Sequence, residues 1–270
     1  MIRVDNEIIE FKRFNDGSCR ANLWNHNTVP VEPVVITWLY DNDEEVLQLY
    51  YVVKHLRSLG VDSIFLQMPY IPNARMDRVK KTSELFTLKY FCELINSLNF
   101  RMVEVYDPHS YVATALLNNV SVFYPTAEIQ KLLKMYPEAL LFFPDEGSMK
   151  RLHSQFETPY AFGVKERNWE TQKIESLQIA GAKHMIAGHD IIVCDDILSR
   201  GSTLYAAAKQ LKEMGANNIY VWVSHCENTV LGSHIQGQSL LDIPDLITKV
   251  YTTNSIYLGN HPKVEVIKKF

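Results

Sequence analysis

Residues 191–203, IIVCDDILSRGST, narrow what this chain can fold into more than any other stretch. Four apolar residues, Ile191, Ile192, Val193 and Cys194, predict a buried strand. Two adjacent acids, Asp195 and Asp196, follow, and Ser199-Arg200-Gly201-Ser202-Thr203 then predicts a turn. Leu204, Ala207, Ala208, Leu211 and Met214 recur at helical spacing, and Gly215 stands where a helix stop is expected. A strand, a loop and a helix start in that order gather unpaired backbone N–H groups and the positive end of a helix dipole, which favours a phosphate. Ser199, Ser202 and Thr203 add hydroxyl donors, and Gly201 lets the backbone come close to an anion. The two acids at the strand's C-terminal end suit a different task, accepting hydrogen bonds from sugar hydroxyls. The same residues also describe an ordinary β–α turn with helix-capping side chains, and spacing alone weighs the two readings alike.

The rest of the composition sets bounds. A chain of 270 residues, 47% hydrophobic, is long enough for one large domain or two ordinary ones with real cores. A net charge of −4 argues against general nucleic-acid or membrane-surface binding, and no apolar run approaches a membrane span. The N-terminus, MIRVDNEIIEFKRF, lacks a signal-peptide core. Cys19, Cys92, Cys194 and Cys226 lie far apart without paired zinc spacing, and Cys92 and Cys194 fall in apolar patterns that predict buried free thiols. A soluble cytoplasmic protein is the expectation.

Along the chain, residues 2–9 and 20–24 predict short strands around a turn containing Asn15-Asp16-Gly17. Strands are expected at 33–39, 63–68, 101–106 and 120–124, and helices at 41–59 and 84–97, the latter with Leu85, Leu88, Phe91, Cys92 and Ile95 on its apolar face. Residues 69–83 read as a polar loop, with four cations (Arg75, Arg78, Lys80 and Lys81) in seven residues. Its place after a strand suits anion binding, although a solvated loop is the default reading. Asp107-Pro108-His109 follows the next strand, and Pro108 fixes that turn. The pattern restarts after Pro125, which suggests domains at 1–124 and 125–270. The second half predicts a helix at 126–135, a strand at 139–143, a helix at 148–155 and a strand at 159–164. A charged, mobile segment at 165–168 comes next, then the stretch described first and strands near 219–224, 248–251 and 264–267. Strands alternating with helices in both halves argue for parallel α/β sheets. No residue-level repeat links the halves.

Several loops together resemble one family. DDILSRGST resembles the phosphoribosyl-pyrophosphate (PRPP) loop of type I phosphoribosyltransferase folds. FNDGS at 14–18, PYIPNARMDR at 69–78, DPH at 107–109, PDEGSMKR at 144–151, VKERN at 164–168 and TNSI at 253–256 resemble, in order, motifs of the ribose-phosphate pyrophosphokinase family. The resemblance covers nearly the whole chain, and motifs in one order are far more specific than any of them alone. It implies an α/β fold of two phosphoribosyltransferase-like domains, each a largely parallel sheet flanked by helices. The N-terminal domain would serve ATP and the C-terminal domain ribose 5-phosphate.

The resemblance also implies a reaction and roles. Diphosphate would pass from ATP to the C1 hydroxyl of ribose 5-phosphate, giving PRPP and AMP. Lys165 and Arg167 would be catalytic, closing over the charge that builds on the phosphate oxygens. Phe14, Asp16, Arg75, Asp77 and His109 would bind ATP, and Asp107, His109 and Asp145 would hold Mg²⁺. Asp195 and Asp196 would hold the ribose hydroxyls, and Ser199, Arg200, Gly201, Ser202 and Thr203 the 5-phosphate. A homo-oligomer is implied as well. Four positions depart from the family pattern. Ser199, Ser18 and Asn118 stand where acids are usual or common, and Arg200 is unusual in its loop. Two other readings compete: a transferase that consumes PRPP, which explains DDILSRGST but not the loops at 69–78 and 107–109, and an inactive regulatory homologue.

Overall fold

A computed structural model describes residues 1–24, 30–167 and 174–270, with side chains for all of these except 165–167 and 174–177. The chain divides into two compact units, Met1–Phe123 together with Phe270, and Tyr124–Lys269.

The first unit contains β1 (Ile2–Val4), β2 (Glu7–Ile8), β3 (Phe11–Arg13), β4 (Cys19–Ala21), β5 (Val34–Trp38), α1 (Glu44–Ser58), β6 (Ile64–Gln67), α2 (Thr87–Ser97), β7 (Met102–Tyr106), α3 (Tyr111–Leu116) and β8 (Val120–Phe123). Its main sheet runs β2-β1-β5-β6-β7-β8. The four strands from β5 to β8 are parallel, and β1 and β2 add an antiparallel edge. The turn at 14–18 joins β3 and β4, which form a separate hairpin. The N-terminal segment expected as one strand is instead two, because Asp5 and Asn6 take positive φ and turn β1 back into β2.

Helix α1 shows why the sequence folds this way. Leu49, Val52, Val53 and Leu56 recur along one side and are all buried, each such burial contributing about 1.5–3 kcal/mol. Gly60, at φ 86°, ends the helix in the left-handed conformation that glycine reaches without a Cβ clash. In α2 the buried set is Leu88, Phe91, Cys92 and Ile95, but Leu85 precedes the first turn and is exposed, which corrects its place on the apolar face. Periodicity can be extended a turn upstream on paper, whereas the chain leaves its loop only at Phe86. Trp38, fully buried at the end of β5, donates from Nε1 to Glu45 at 2.9 Å.

The second unit contains α4 (Thr126–Met135), β9 (Leu140–Phe143), α5 (Glu146–Leu152), β10 (Tyr160–Arg167), β11 (Ile174–Gly181), β12 (Ile191–Leu198), α6 (Ser202–Glu213), β13 (Ile219–Cys226), β14 (Lys249–Thr253) and β15 (Val264–Ile267). The sheet order is β11-β10-β9-β12-β13-β14-β15, parallel throughout except for the antiparallel β10–β11 pair at one edge. Strands covered on both faces carry apolar runs: every residue of β9 is buried, and so is every residue of β13, which is apolar from Ile219 to Val223 before Ser224 and His225. The strand expected to end at 164 runs further. The backbone of Lys165, Glu166 and Arg167 continues β10 and pairs with β11, an antiparallel strand that short-range patterning does not announce; Asn168 lies outside the described residues. Helix α5 starts two residues earlier than expected, because Asp145 caps it, and its last turn tightens at His153–Gln155. No helix among the described residues is long and apolar enough to cross a membrane. All four cysteines are free; Cys92, Cys194 and Cys226 are buried, and burial pushes the Cys92 and Cys226 thiols up to about 12.

Candidate active site

In the second unit the acids expected beyond the apolar run are part of β12 itself, since its ladder with β13 continues through Asp195 to Leu198. They meet a residue the sequence reading passed over. Arg151, on α5 and itself buried, places Nη2 3.0 Å from Asp196 Oδ1 and 4.0 Å from Asp195 Oδ1. Helix α5 aims that guanidinium. Its start is fixed by a capping box in which Asp145 Oδ1 accepts from Ser148 N at 3.0 Å. Asp145 therefore has a structural duty besides any role toward a metal.

Charge is crowded here. Burial first, and then the neighbouring Asp196 carboxylate, pushes the Asp195 carboxyl well above the ordinary carboxylate range; Arg151 pulls it back and Asp145 adds to the rise. Because the folded value is raised, the stability linked to this group is complete below the unfolded value, about 3.9, and is lost as pH rises through the folded value. Asp195→Asn should accordingly raise the melting temperature of the ligand-free protein at pH 7 and flatten its decline from mildly acidic to neutral pH. A melting temperature that falls, with an unchanged pH trend, would contradict this assignment of the charge.

The loop after β12 is shaped by Gly201, which has φ 85° and precedes the first residue of α6. A Cβ there would lie 2.5 Å from Leu240 Cδ2, so conformation and space both require glycine. No side chain at this position caps the helix, and the first-turn N–H groups of Ser202 and Thr203 belong to the open end of a 12-residue helix. Arg200 and Ser202 are exposed and Thr203 is half-buried. Ser199 differs from expectation. Its Oγ donates to Glu227 Oε2 at 2.5 Å, and Thr229 Oγ1 donates to the same oxygen at 3.0 Å. A hydroxyl has one hydrogen, so Ser199 has none left for a phosphate, which corrects its reading as a donor.

Behind these loops the strand ends carry a buried polar lattice. His225 Nδ1 lies 2.8 Å from Ser255 Oγ, and Thr253 Oγ1 donates to the Ser224 carbonyl at 2.7 Å. Trp222, fully buried, donates from Nε1 to Ser224 Oγ at 3.3 Å. The TNSI motif thus supplies two of the hydroxyls that fix the floor.

The first unit assembles its own cluster at the C-terminal ends of β6 and β7. Tyr106 N donates to the Pro69 carbonyl at 3.0 Å, anchoring the 69–78 loop to the neighbouring strand end. Asp77 accepts from Arg78 Nε at 2.9 Å. Burial draws the Asp77 carboxyl up, but the Arg78 hydrogen bond and charge, a Ser110 hydrogen bond and the nearby His109 outweigh it and leave the group below its ordinary value. The 69–78 loop and the 107–109 motif are thereby brought together. Asp107 is fully buried at φ 42°, a left-handed conformation uncommon for any residue but glycine. Arg75 is exposed. Phe14 and Asp16 are exposed on the β3–β4 turn, with Arg20 lying 5.7 Å from the Phe14 ring centre. Ser18, where an acid is usual, donates through Oγ and N to Asp16 at 2.6 and 2.9 Å, and these hydrogen bonds hold the Asp16 carboxyl low. Lys165 and Arg167 lie on the backbone of β10, and their side chains lie outside the described residues.

The fold and these loops define a class: a chain of two phosphoribosyltransferase-type α/β domains. A family model described as phosphoribosyl transferase domain matches residues 148–240. The fold is similar to the crystal structure of phosphoribosylpyrophosphate synthetase from Mycobacterium smegmatis, with a TM-score of 0.74 over 96% of this chain and 85% of that one at 17% identity. Ribose-phosphate pyrophosphokinase of Thermococcus kodakarensis is 24% identical over 80% of this chain and 77% of its own, and that of Bacillus subtilis is 25% identical over 95% and 80%. Over most of its length the chain is thus similar to ribose-phosphate pyrophosphokinases, the family its ordered motifs resemble.

Proposed function

We propose that this protein is a ribose-phosphate diphosphokinase, transferring diphosphate from ATP to the C1 hydroxyl of ribose 5-phosphate to form PRPP and AMP. The observation that carries the reading is the second unit's arrangement of Asp195, Asp196 and Arg151 at the end of β12, running directly into the glycine-started helix α6. It joins acceptors for sugar hydroxyls to donors for a phosphate within one strand–loop–helix. Asp195 and Asp196 orient the ribose, while the backbone N–H groups after Gly201, with Arg200, Ser202 and Thr203, hold the 5-phosphate. Arg75, Asp77 and His109 position ATP, with Phe14 and Asp16 toward its base. Lys165 and Arg167 offset charge on the transferred group.

Mg²⁺ is part of the proposal, and the residues fit it in a limited way. Asp107 offers a hard oxygen donor at a strand end of the first unit and His109 follows it, while Asp145, which caps α5 in the second unit, is a candidate by the resemblance alone. No group of three metal-binding side chains is assembled among the described residues. Mg²⁺ keeps several waters and needs only one or two carboxylates besides substrate phosphates, so these residues suit an ion that arrives with ATP. When bound, it would offset negative charge on the phosphate oxygens. A cytoplasmic homo-oligomer is the accompanying proposal.

The deciding test is AMP and PRPP release with ATP, Mg²⁺ and ribose 5-phosphate, each omitted in turn. Products only in the complete mixture are expected. Folded protein that binds ribose 5-phosphate but releases no AMP would instead be a regulatory homologue, and consumption of PRPP with an added base would make it a transferase.

A further inference from the structure

Glu227 is outside every motif that carries the resemblance, yet it is built into the mouth of the sugar-phosphate loop. It follows β13, and its N–H donates to the Leu198 carbonyl at 2.7 Å, so it stands level with the first residue of the loop on the adjacent strand. Its Oε2 collects the hydroxyls of Ser199 at 2.5 Å and Thr229 at 3.0 Å, and those two oxygens lie 3.2 Å apart. Two consequences follow from this geometry. The Ser199 hydroxyl is committed as a donor within the protein, so toward a ligand it presents only lone pairs. A carboxylate also stands beside an otherwise anion-attracting loop, where it opposes any second negative group placed near Ser199.

We propose that Glu227 is a specificity-determining residue: through Ser199 it makes this corner of the loop an acceptor for a sugar hydroxyl and rejects a second anion there. The site would therefore select a pentose carrying one phosphate and a free hydroxyl over inorganic phosphate or a bisphosphorylated pentose. This inference rests on the ribose 5-phosphate reading and deepens it. Glu227 acts on the ligand through Ser199 and through its charge, which makes it a positioning residue.

The carboxylate can be moved from one side of the pair to the other. Glu227→Gln should raise the KM for ribose 5-phosphate by about tenfold with a smaller change in kcat, and tighten competitive inhibition by inorganic phosphate and ribose 1,5-bisphosphate several-fold. Ser199→Asp alone sets two carboxylates against each other and should weaken ribose 5-phosphate at least as much. The double variant, Ser199→Asp with Glu227→Gln, keeps one carboxylate and one neutral partner, and should return KM to within about threefold of the parent. A merely structural Glu227 would lower the melting temperature without changing the rank of phosphate, bisphosphate and monophosphate. Unchanged selectivity in Glu227→Gln, or a double variant no better than the poorer single one, would overturn the proposal. If the parent protein forms no PRPP, the reaction assignment fails on its own, and calorimetric binding of the same three compounds to the same variants still decides the role of Glu227.

Discussion

Replacing Arg151 with methionine should destabilise the second unit by about 3–5 kcal/mol, the usual result of removing one partner from a buried ion pair. The side chains of Arg151 and Asp196 are 5% and 4% exposed and sit 3.0 Å apart, with Asp195 4.0 Å from the same nitrogen. Methionine fills much of the volume, so packing changes little, but it leaves Asp195 and Asp196 without the guanidinium between them and with Asp145 nearby. At about 2–4 °C per kcal/mol for a unit of this size, the melting temperature should fall by roughly 10 °C. Adding Asp195→Asn and Asp196→Asn should restore most of the loss, because an uncharged set has no desolvated charge to balance. Thermal melts of the single and triple variants check both statements. A single variant as stable as the parent would mean that the two acids are neutralised without Arg151.

The second large effect concerns turnover. Lys165→Ala should reduce kcat by about 10²–10³, the range for removing one donor to charge that develops in the transition state, with ribose 5-phosphate affinity mostly kept. The resemblance assigns this residue a cationic role, and its backbone lies on β10, paired with β11. Diphosphate transfer has little covalent chemistry for a side chain to perform, so a cation on the phosphate oxygens contributes most of what a residue can. Initial rates and calorimetric binding of ribose 5-phosphate separate the two quantities. A variant within threefold of the parent rate would remove Lys165 from the mechanism.

What the sequence makes legible follows from distance along the chain. Strands such as β9 and the Ile219–Val223 part of β13, covered on both faces, announce themselves as unbroken apolar runs, and α1, α4 and α6 carry enough turns for their period to show. The six-residue α3 is too short for a period, and β11 is defined by pairing with its neighbour more than by its own pattern. The site divides the same way. Asp195, Asp196 and Gly201 lie within one contiguous motif and can be read from it. Arg151 and Glu227 reach that motif from α5 and from the end of β13, and only the sheet order brings them alongside. The correction at Ser199 has the same origin, since the partner that takes its hydrogen is supplied by another strand.

Among the described residues two tryptophans are fully buried, and they have a use beyond packing. Trp38 belongs to the first unit and is fixed by Glu45; Trp222 belongs to the second and is fixed by Ser224, inside the lattice behind the loop between β12 and α6. Each unit thus carries its own indole in a dry, hydrogen-bonded setting, where unfolding shifts emission strongly to the red. With Trp24 and Trp169 also replaced by phenylalanine, adding Trp38→Phe or Trp222→Phe leaves a single indole, so denaturant titration can follow one half of the molecule at a time and reveal whether the chain comes apart in a single cooperative transition or in two.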